Sequence, residues 1–249
     1  MYIEKIKMIS VIIPAFNEEK RLPDTIDEII NYFKHLKLTF EIIIIDDGST
    51  DSTKDIILKK YNFKNINYLR NKINKGKGFS IKKGVLNAKG DLILFTDADL
   101  STPIFEFEKL KEYLNKGYDI AIASRALKFS KIEKHQNILR ETMGKIFNLI
   151  VRLILLKEYH DTQCGFKLFK STVAKEIFPK TTIDGFAFDV EILILAKILK
   201  FKVIETPVIW SNSPESKINP IKDSIKMLKD LIKLRKKYLI HMKHLQFHD

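Results

Sequence analysis

Apolar runs that stop abruptly at polar clusters set the rhythm of the chain. Ser10-Val11-Ile12-Ile13-Pro14, Glu41-Ile42-Ile43-Ile44-Ile45 and Leu92-Ile93-Leu94-Phe95-Thr96 have strand length and little alternation. A run that is apolar on both faces reads as a strand covered on both sides of a sheet. Shorter runs at 66–69 and 120–123 complete five predicted strands. Helical spacing fills the intervals. Pro23 opens a pattern with Ile26, Ile29, Ile30 and Phe33 on one face, and Asp51 or Ser52 offers a cap for the helix after the second strand. Further helices are predicted over 76–88 and 104–114. Strands alternating with helices predict an α/β domain built on a mostly parallel sheet with right-handed crossovers.

Past residue 125 the rhythm changes. The spacing predicts one long helix over 138–156, a loop over 161–166, helices over 172–178 and 188–199, a strand over 203–210 that carries Pro207, and a last helix over 220–240. No repeat and no low-complexity linker divides the 249 residues. The expectation is one domain, 1–249, with a first half of about 1–125 and a second of about 126–249.

Composition narrows the classes. Hydrophobic residues make up 45% of the chain, which a globular core requires. Cys164 is the single cysteine, so neither an internal disulfide nor a four-cysteine zinc site is available. His135 and His160 lack metal-ligand spacing. No run approaches the roughly 20 apolar residues of a spanning helix, and the first residues do not read as a signal peptide. The formal net charge of +13 asks for anionic partners. Nucleic acid fits poorly: aromatic-basic RNA motifs and a recognition-helix signature are missing, and the acidic strand ends would repel a phosphate backbone.

Those strand ends carry the chemistry. Pro14-Ala15-Phe16-Asn17-Glu18, Asp46-Asp47-Gly48-Ser49 and Asp97-Ala98-Asp99 each follow a buried strand. In a parallel sheet they share one edge, where open α/β sheets bind ligands. Two carboxylates one residue apart suit a hard divalent cation held together with phosphate oxygens. Neither a Gly-x-Gly-x-x-Gly turn nor a phosphate-binding loop with Gly-Lys-Ser/Thr is present, so a nucleotide must be held differently. Lys75-Gly76-Lys77-Gly78 at a helix start reads either as a phosphate cradle or as a flexible turn.

Together with Val11-Ile12-Ile13-Pro14-Ala15-Phe16-Asn17-Glu18-Glu19 and Asp97-Ala98-Asp99-Leu100-Ser101, these motifs resemble family 2 glycosyltransferases of the GT-A fold. Asp161-Thr162-Gln163-Cys164-Gly165-Phe166-Lys167-Leu168-Phe169, Phe186-Ala187-Phe188-Asp189-Val190-Glu191 and Ser216-Lys217 resemble the dolichyl-phosphate β-glucosyltransferase branch, and less closely the dolichyl-phosphate mannose synthases. The resemblance runs from about residue 9 to 238. It implies an inverting hexosyl transfer with Mg²⁺ or Mn²⁺, from a nucleotide sugar (UDP-glucose favoured) to a polyprenyl or dolichyl phosphate. The alternatives are GDP-mannose as donor or a glycan as acceptor.

By motif position the resemblance implies that Pro14, Ala15, Phe16, Glu18, Asp46, Asp47, Lys77, Asp97, Ala98 and Arg125 serve the nucleotide sugar, with the metal on Asp97 and Asp99. The first half then binds the donor and the second faces the acceptor. Asp161 is the expected catalytic carboxylate beside the sugar, with Asp189 and Glu191 as secondary candidates of which only one is expected to face the site. Arg140, Ser216 and Lys217 are expected on the acceptor phosphate, because two anions must be brought together and Arg grips phosphate bidentately. Cys164 reads as a small buried residue.

The eukaryotic enzymes of that branch carry an N-terminal membrane helix that this sequence lacks. Attachment is therefore expected to be peripheral, on the cytoplasmic side of the cell membrane, through basic amphipathic helices on anionic lipid. In the last helix Ile221, Ile225, Leu228, Ile232 and Leu239 form a stripe between lysines. In the long helix Met143, Ile146, Phe147, Ile150, Val151, Ile154 and Leu155 suit core and membrane equally.

Overall fold

Strands β1 (Met8–Ala15), β2 (Thr39–Asp46), β3 (Ile66–Arg70), β4 (Leu92–Phe95) and β5 (Ile120–Ser124) coincide with the five apolar runs of the first half. A computed structural model describes residues 7–213 and 220–246 of the chain. Helices α1 (Leu22–His35), α2 (Thr53–Lys60), α3 (Lys77–Asn87) and α4 (Phe107–Asn115) connect these strands, the last entered through a 3₁₀ turn at Ile104–Glu106. The second half adds β6 (Lys131–Lys134), α5 (Ile138–Ile154), β7 (Lys167–Lys170), α6 (Ser171–Ile177), α7 (Phe188–Ile198), β8 (Val203–Pro207), β9 (Ile209–Ser211) and α8 (Pro220–Gln246).

Seven strands form the main sheet in the order β3-β2-β1-β4-β7-β5-β8, and β6 pairs with β9 in a small ribbon. Parallel register places Ala15 beside Asp46 and Ile12 beside Phe95, so β1, β2 and β4 end along one edge. The Asp47 N–H donates to Ala15 O at 2.7 Å and the Thr96 N–H to Ile12 O at 3.0 Å, which holds the three ends together.

Sequence patterning misses β6, and also β7, which bears on the site. β7 runs antiparallel between β4 and β5, pairing Phe95 and Ile122 with Lys167. Its first residue therefore lies at the carboxyl edge, and the segment 161–166 before it is delivered to the site. Only four residues long, it begins with a fully buried Lys167, whose Nζ meets Asp189 Oδ1 at 2.5 Å and Cys164 O at 2.6 Å. A buried, paired lysine is a rare way to start a strand, and no periodicity announces it. The predicted strand over 203–210 is also two: the chain leaves the main sheet after Pro207 and joins the ribbon at Ile209.

Helices cover both faces of the sheet. On one, α1, α2 and α4 bury Ile26, Phe33, Ile57, Phe107 and Leu110 against Val11, Ile42 and Leu94. On the other, α3, α5, α6, α7 and α8 bury Ile81, Phe147, Val151, Ile177, Leu231 and Leu234 against Ile12, Ile43 and Ile93. Each core draws residues from both halves of the chain.

The long helices differ from their predicted stripes. Phe147, Val151 and Leu155 are buried, whereas Ile146, Leu149 and Leu153 on another side of the helix are 52–68% exposed. In α8 the packed residues are Leu231, Leu234 and Tyr238, while Ile225, Leu228 and Ile232 of the expected stripe face outward. The side chains of Ile221 and Leu239 lie outside the described residues.

Candidate active site

The carboxyl edge opens into a cavity of about 500 Å³. Pro14, Ala15, Phe16 and Glu18 reach it from the end of β1, Asp47 from β2, Lys77 from α3, Asp97, Ala98 and Asp99 from β4 and Arg125 from β5. Arg140 from α5 and Asp189 from α7 complete the set of expected residues it gathers.

Asp97 and Asp99 face opposite cations. Lys77 Nζ lies 2.5 Å from Asp97 Oδ1, and Arg21 Nη1 lies 3.3 Å from Asp99 Oδ2. Asp99 also accepts from the Ser101 N–H at 3.0 Å. Burial, and then the like charge of Asp97, push the Asp99 carboxyl above the usual range. The pair is thus short of positive charge. Among the described residues no third His, Cys, Asp or Glu joins it in a metal-sized group. Two hard oxygen donors with other positions left to phosphate and water fit Mg²⁺ or Mn²⁺. Gly165 is packed against this centre, where an added Cβ would stand 2.1 Å from Asp97 Oδ2.

Arg21 lines the cavity and is a residue that the sequence reading does not single out. Its Nε and Nη2 hold Glu18 at 2.8 and 2.5 Å while Nη1 reaches Asp99, so Glu18 is linked to Asp99 through it. The signal was the Glu-x-x-Arg spacing at a helix start. The neighbouring loops are tied together: the Asn17 N–H donates to Ser49 Oγ, the Glu18 N–H donates to Thr53 Oγ1, and Asn17 Oδ1 accepts from the Thr50 N–H.

Several expected roles change. Asp46 does not line the cavity. It is fully buried, accepts from the Ser49 N–H at 2.7 Å and from the Tyr68 hydroxyl, and faces Arg70 Nε at 3.4 Å. It shapes the turn that presents Asp47. Asp47 in turn accepts from Asn71 Nδ2, the Lys75 N–H and the Gly76 N–H at 2.7–2.9 Å. Those two backbone donors, just ahead of α3, are therefore spent on Asp47 and are not left for a phosphate. Gly76, at φ +108°, and Gly78 admit the close approach of Asp184 O and Ile183 O.

Asp161, the expected catalytic carboxylate, does not reach the cavity and is bonded to Arg125. Its Oδ2 accepts from the Arg125 N–H at 3.0 Å and from Nε at 2.6 Å, and Oδ1 accepts from Nη2 at 2.9 Å and from the Gln163 N–H at 3.1 Å. Burial alone would raise its pKa, but the Arg125 charge and these bonds hold it well below the carboxylate range. It is 1% exposed and is not among the cavity-lining residues. A carboxylate so saturated is a poor base. It fixes Arg125, whose guanidinium also lies 5.4 Å from the Trp210 ring centre.

Asp189 and Glu191 part as their spacing requires. Asp189 lines the cavity; Glu191 is fully buried elsewhere and accepts from the Thr182 and Ile183 N–H groups and the Tyr238 hydroxyl. It anchors α8 rather than the substrate. Cys164 is buried, its thiol pushed up to about 11 by burial, which fits an inert residue. Ser216 and Lys217 lie outside the described residues. Lys226 and Met227 of α8 also line the cavity, on a helix whose lysines are expected from the sequence to meet anionic lipid.

Known proteins resemble this chain in sequence and in fold. The Glycosyl transferase family 2 profile matches residues 10–178. The dolichyl-phosphate beta-glucosyltransferase of Dictyostelium discoideum is 39% identical over 245 residues, 93% of this chain and 75% of that one. The Homo sapiens protein of the same name is 34% identical, over 94% and 76% of the two chains. The Mycobacterium tuberculosis glucosyl-3-phosphoglycerate synthase, crystallised with Mn²⁺, UDP-glucose and phosphoglyceric acid, superposes with a TM-score of 0.69 at 16% identity, over 92% of this chain and 79% of that one. The latter likeness shows the fold, the mostly parallel helix-flanked sheet of GT-A proteins. Sequence identity over most of the chain shows more: the protein is a glycosyltransferase and belongs to glycosyl transferase family 2.

Proposed function

We propose that the chain transfers glucose from UDP-glucose to a polyprenyl phosphate, with inversion at the anomeric carbon and a divalent cation on Asp97 and Asp99. One observation carries the acceptor assignment. Arg140, half-buried, lines the same cavity as the carboxylate pair and has no ion-pair partner among the described residues. Burial lowers its pKa. A guanidinium in that position lacks an anion, and a phosphate monoester supplies one. The names of the relatives support glucose and dolichyl phosphate, and the UDP-glucose complex of the fold neighbour supports the donor.

The chemistry follows from the charges. A phosphate monoester with a second pKa of about 6 is already a nucleophile at neutral pH. One of its oxygens attacks the anomeric carbon, the bond from that carbon to the diphosphate oxygen breaks, and UDP leaves. A bound Mg²⁺ or Mn²⁺ supplies Lewis-acid neutralisation of the departing diphosphate. Asp47 Oδ2, which accepts one hydrogen bond from the chain, keeps acceptor capacity for a base N–H, and Pro14 and Phe16 wall that end. Arg125, locked by Asp161, and Lys77 meet the phosphates. A glycan hydroxyl would instead need a base. Asp189 lies in the cavity, but its Oδ1 is tied to Lys167 at 2.5 Å, which favours the phosphate acceptor.

Labelled donor, Mg²⁺ and polyprenyl phosphate test the reading. Organic-soluble label is expected from UDP-glucose and not from GDP-mannose; no organic-soluble product with any donor overturns the acceptor. Arg140→Ala is expected to raise the acceptor KM by about tenfold or more, as loss of a charge-assisted phosphate contact implies, with the donor KM little changed. An equal rise in both constants would remove its assigned role.

We also propose peripheral attachment to anionic membrane. Among the described residues no helix is long and apolar enough to cross a bilayer. The outward stripes of α5 and α8 are apolar, and Lys226, Lys229, Lys233 and Lys236 flank the second. Such a face binds anionic headgroups and acyl chains together. Flotation is expected with anionic vesicles and not with neutral ones; equal flotation on both would contradict the lysine contribution.

A further inference from the structure

We infer that the isoprenoid chain of the acceptor leaves the active site through a groove between the N-terminal turns of α5 and α8, passing over Gly144. The inference rests on the polyprenyl-phosphate reading above. The cavity changes character across its width. Carboxylates line it at the strand ends, whereas Met143, Gly144 and Phe147 of α5, Phe186 just before α7 and Met227 of α8 form an apolar wall, with Asp223 and Lys226 of α8 as its charged neighbours. Arg140, Gly144 and Phe147 recur at helical spacing, so they share one stripe: a cation, then a gap, then an aromatic ring. On α8, Lys226 stands beside Met227 in the same order of charge and apolar surface.

Gly144 is the informative residue. The other two helical glycines are explained by packing: an added Cβ would meet Ile183 O at 2.5 Å from Gly78 and Ile12 Cγ2 at 2.4 Å from Gly84. At Gly144 an added Cβ meets nothing within 4 Å. Its φ is not positive, so no turn requires it either. A mid-helix glycine is unfavourable relative to alanine, and here the fold itself gains nothing from it. What it leaves is open space beside a wall of Met and Phe.

The groove has one closed end and one open end. Phe147 and Val151 close it by packing with Leu231 and Leu234 in a single buried cluster. Ile138 and Leu139, 84% and 59% exposed, and Ile225, 51% exposed, continue the apolar surface outward from the same turns. An anionic head followed by a flexible apolar tail matches cations at the cavity and apolar walls beyond it. The side chains of Met143, Phe147 and Met227 offer a sugar or a nucleotide no strong hydrogen-bonding partner.

Chain-length dependence tests the inference. The wild-type protein is assayed with a two-isoprene phosphate and with a long-chain polyprenyl phosphate in detergent. The wild type is expected to prefer the long acceptor, and Gly144→Phe to lower the long-to-short ratio of kcat/KM by at least tenfold. An unchanged ratio, with both acceptors used, overturns the groove and leaves the acceptor class standing. Transfer to neither acceptor by the wild type overturns both. Independently of any variant, a long acceptor carrying a photoreactive group on its third isoprene unit is expected to label peptides of α5 and α8. Labelling elsewhere on the chain, or on a second copy of it, overturns the groove.

Discussion

Asp99→Asn is expected to lower kcat by about three orders of magnitude, the scale on which removing a charged ligand from a catalytic metal acts. The same change is expected to leave folding stability unchanged or slightly increased. The reason is the sign of the electrostatics. Burial and Asp97 push the Asp99 carboxyl upward, so its ionised form is disfavoured in the folded chain at neutral pH. Asparagine removes that cost and retains an acceptor for the Ser101 N–H. Arg21 keeps Glu18 and Ser213 as partners. Activity and stability therefore separate. The checks are single-turnover kinetics, a Mn²⁺ titration and a thermal melt. Ordinary turnover in the variant would remove the metal from Asp99.

Asp161→Ala is expected to do the opposite to stability. It leaves Arg125, partly buried against Trp210, without its carboxylate, and breaking such a pair costs up to about 3–5 kcal/mol. For a chain of this size that is a fall in Tm of about 10 °C. Turnover falls as well, because Arg125 loses its aim. A second change separates the two effects. Asp161→Ala combined with Arg125→Met removes both charges and is expected to regain most of the stability but none of the activity. No recovery in the double variant, or no loss in the single one, would contradict the positioning role. The pH dependence has a definite direction. The folded-state pKa of Asp161 lies below that of the unfolded chain, so the pair contributes fully above the ordinary carboxylate range. The contribution is lost only as pH falls through the folded value.

Much of this was legible in the chain itself. The five apolar runs named the parallel strands because a doubly covered strand needs no alternation. Their polar ends named the site because such ends share one edge. Three things were hidden, each for a physical reason. β7 is short and opens with Lys167, a residue whose burial depends on Asp189 across 22 positions of sequence. Arg21 lies outside the strand-end motifs, and only the fold brings Asp99 of β4 to it. The exposed stripes of α5 and α8 were indistinguishable from packing stripes, because periodicity says which residues share a face and not which face is covered. Asp161 illustrates the converse error. A carboxylate in a distinctive motif invites a catalytic role, yet the fold supplies it with so many donors that its work is to hold Arg125.

The account's central claim is a single displacement in which a phosphate oxygen of the acceptor takes the sugar. The most direct test is the product's own linkage. UDP-glucose labelled with ¹³C at the anomeric carbon, incubated with the enzyme, Mg²⁺ and polyprenyl phosphate, is followed by ¹³C and ³¹P NMR of the organic phase. The account predicts a β-configured anomeric carbon coupled to one phosphorus, formed from the α-linked donor in step with UDP release. An α-configured product, a sugar carbon with no phosphorus coupling, or UDP release that yields only free glucose would contradict it.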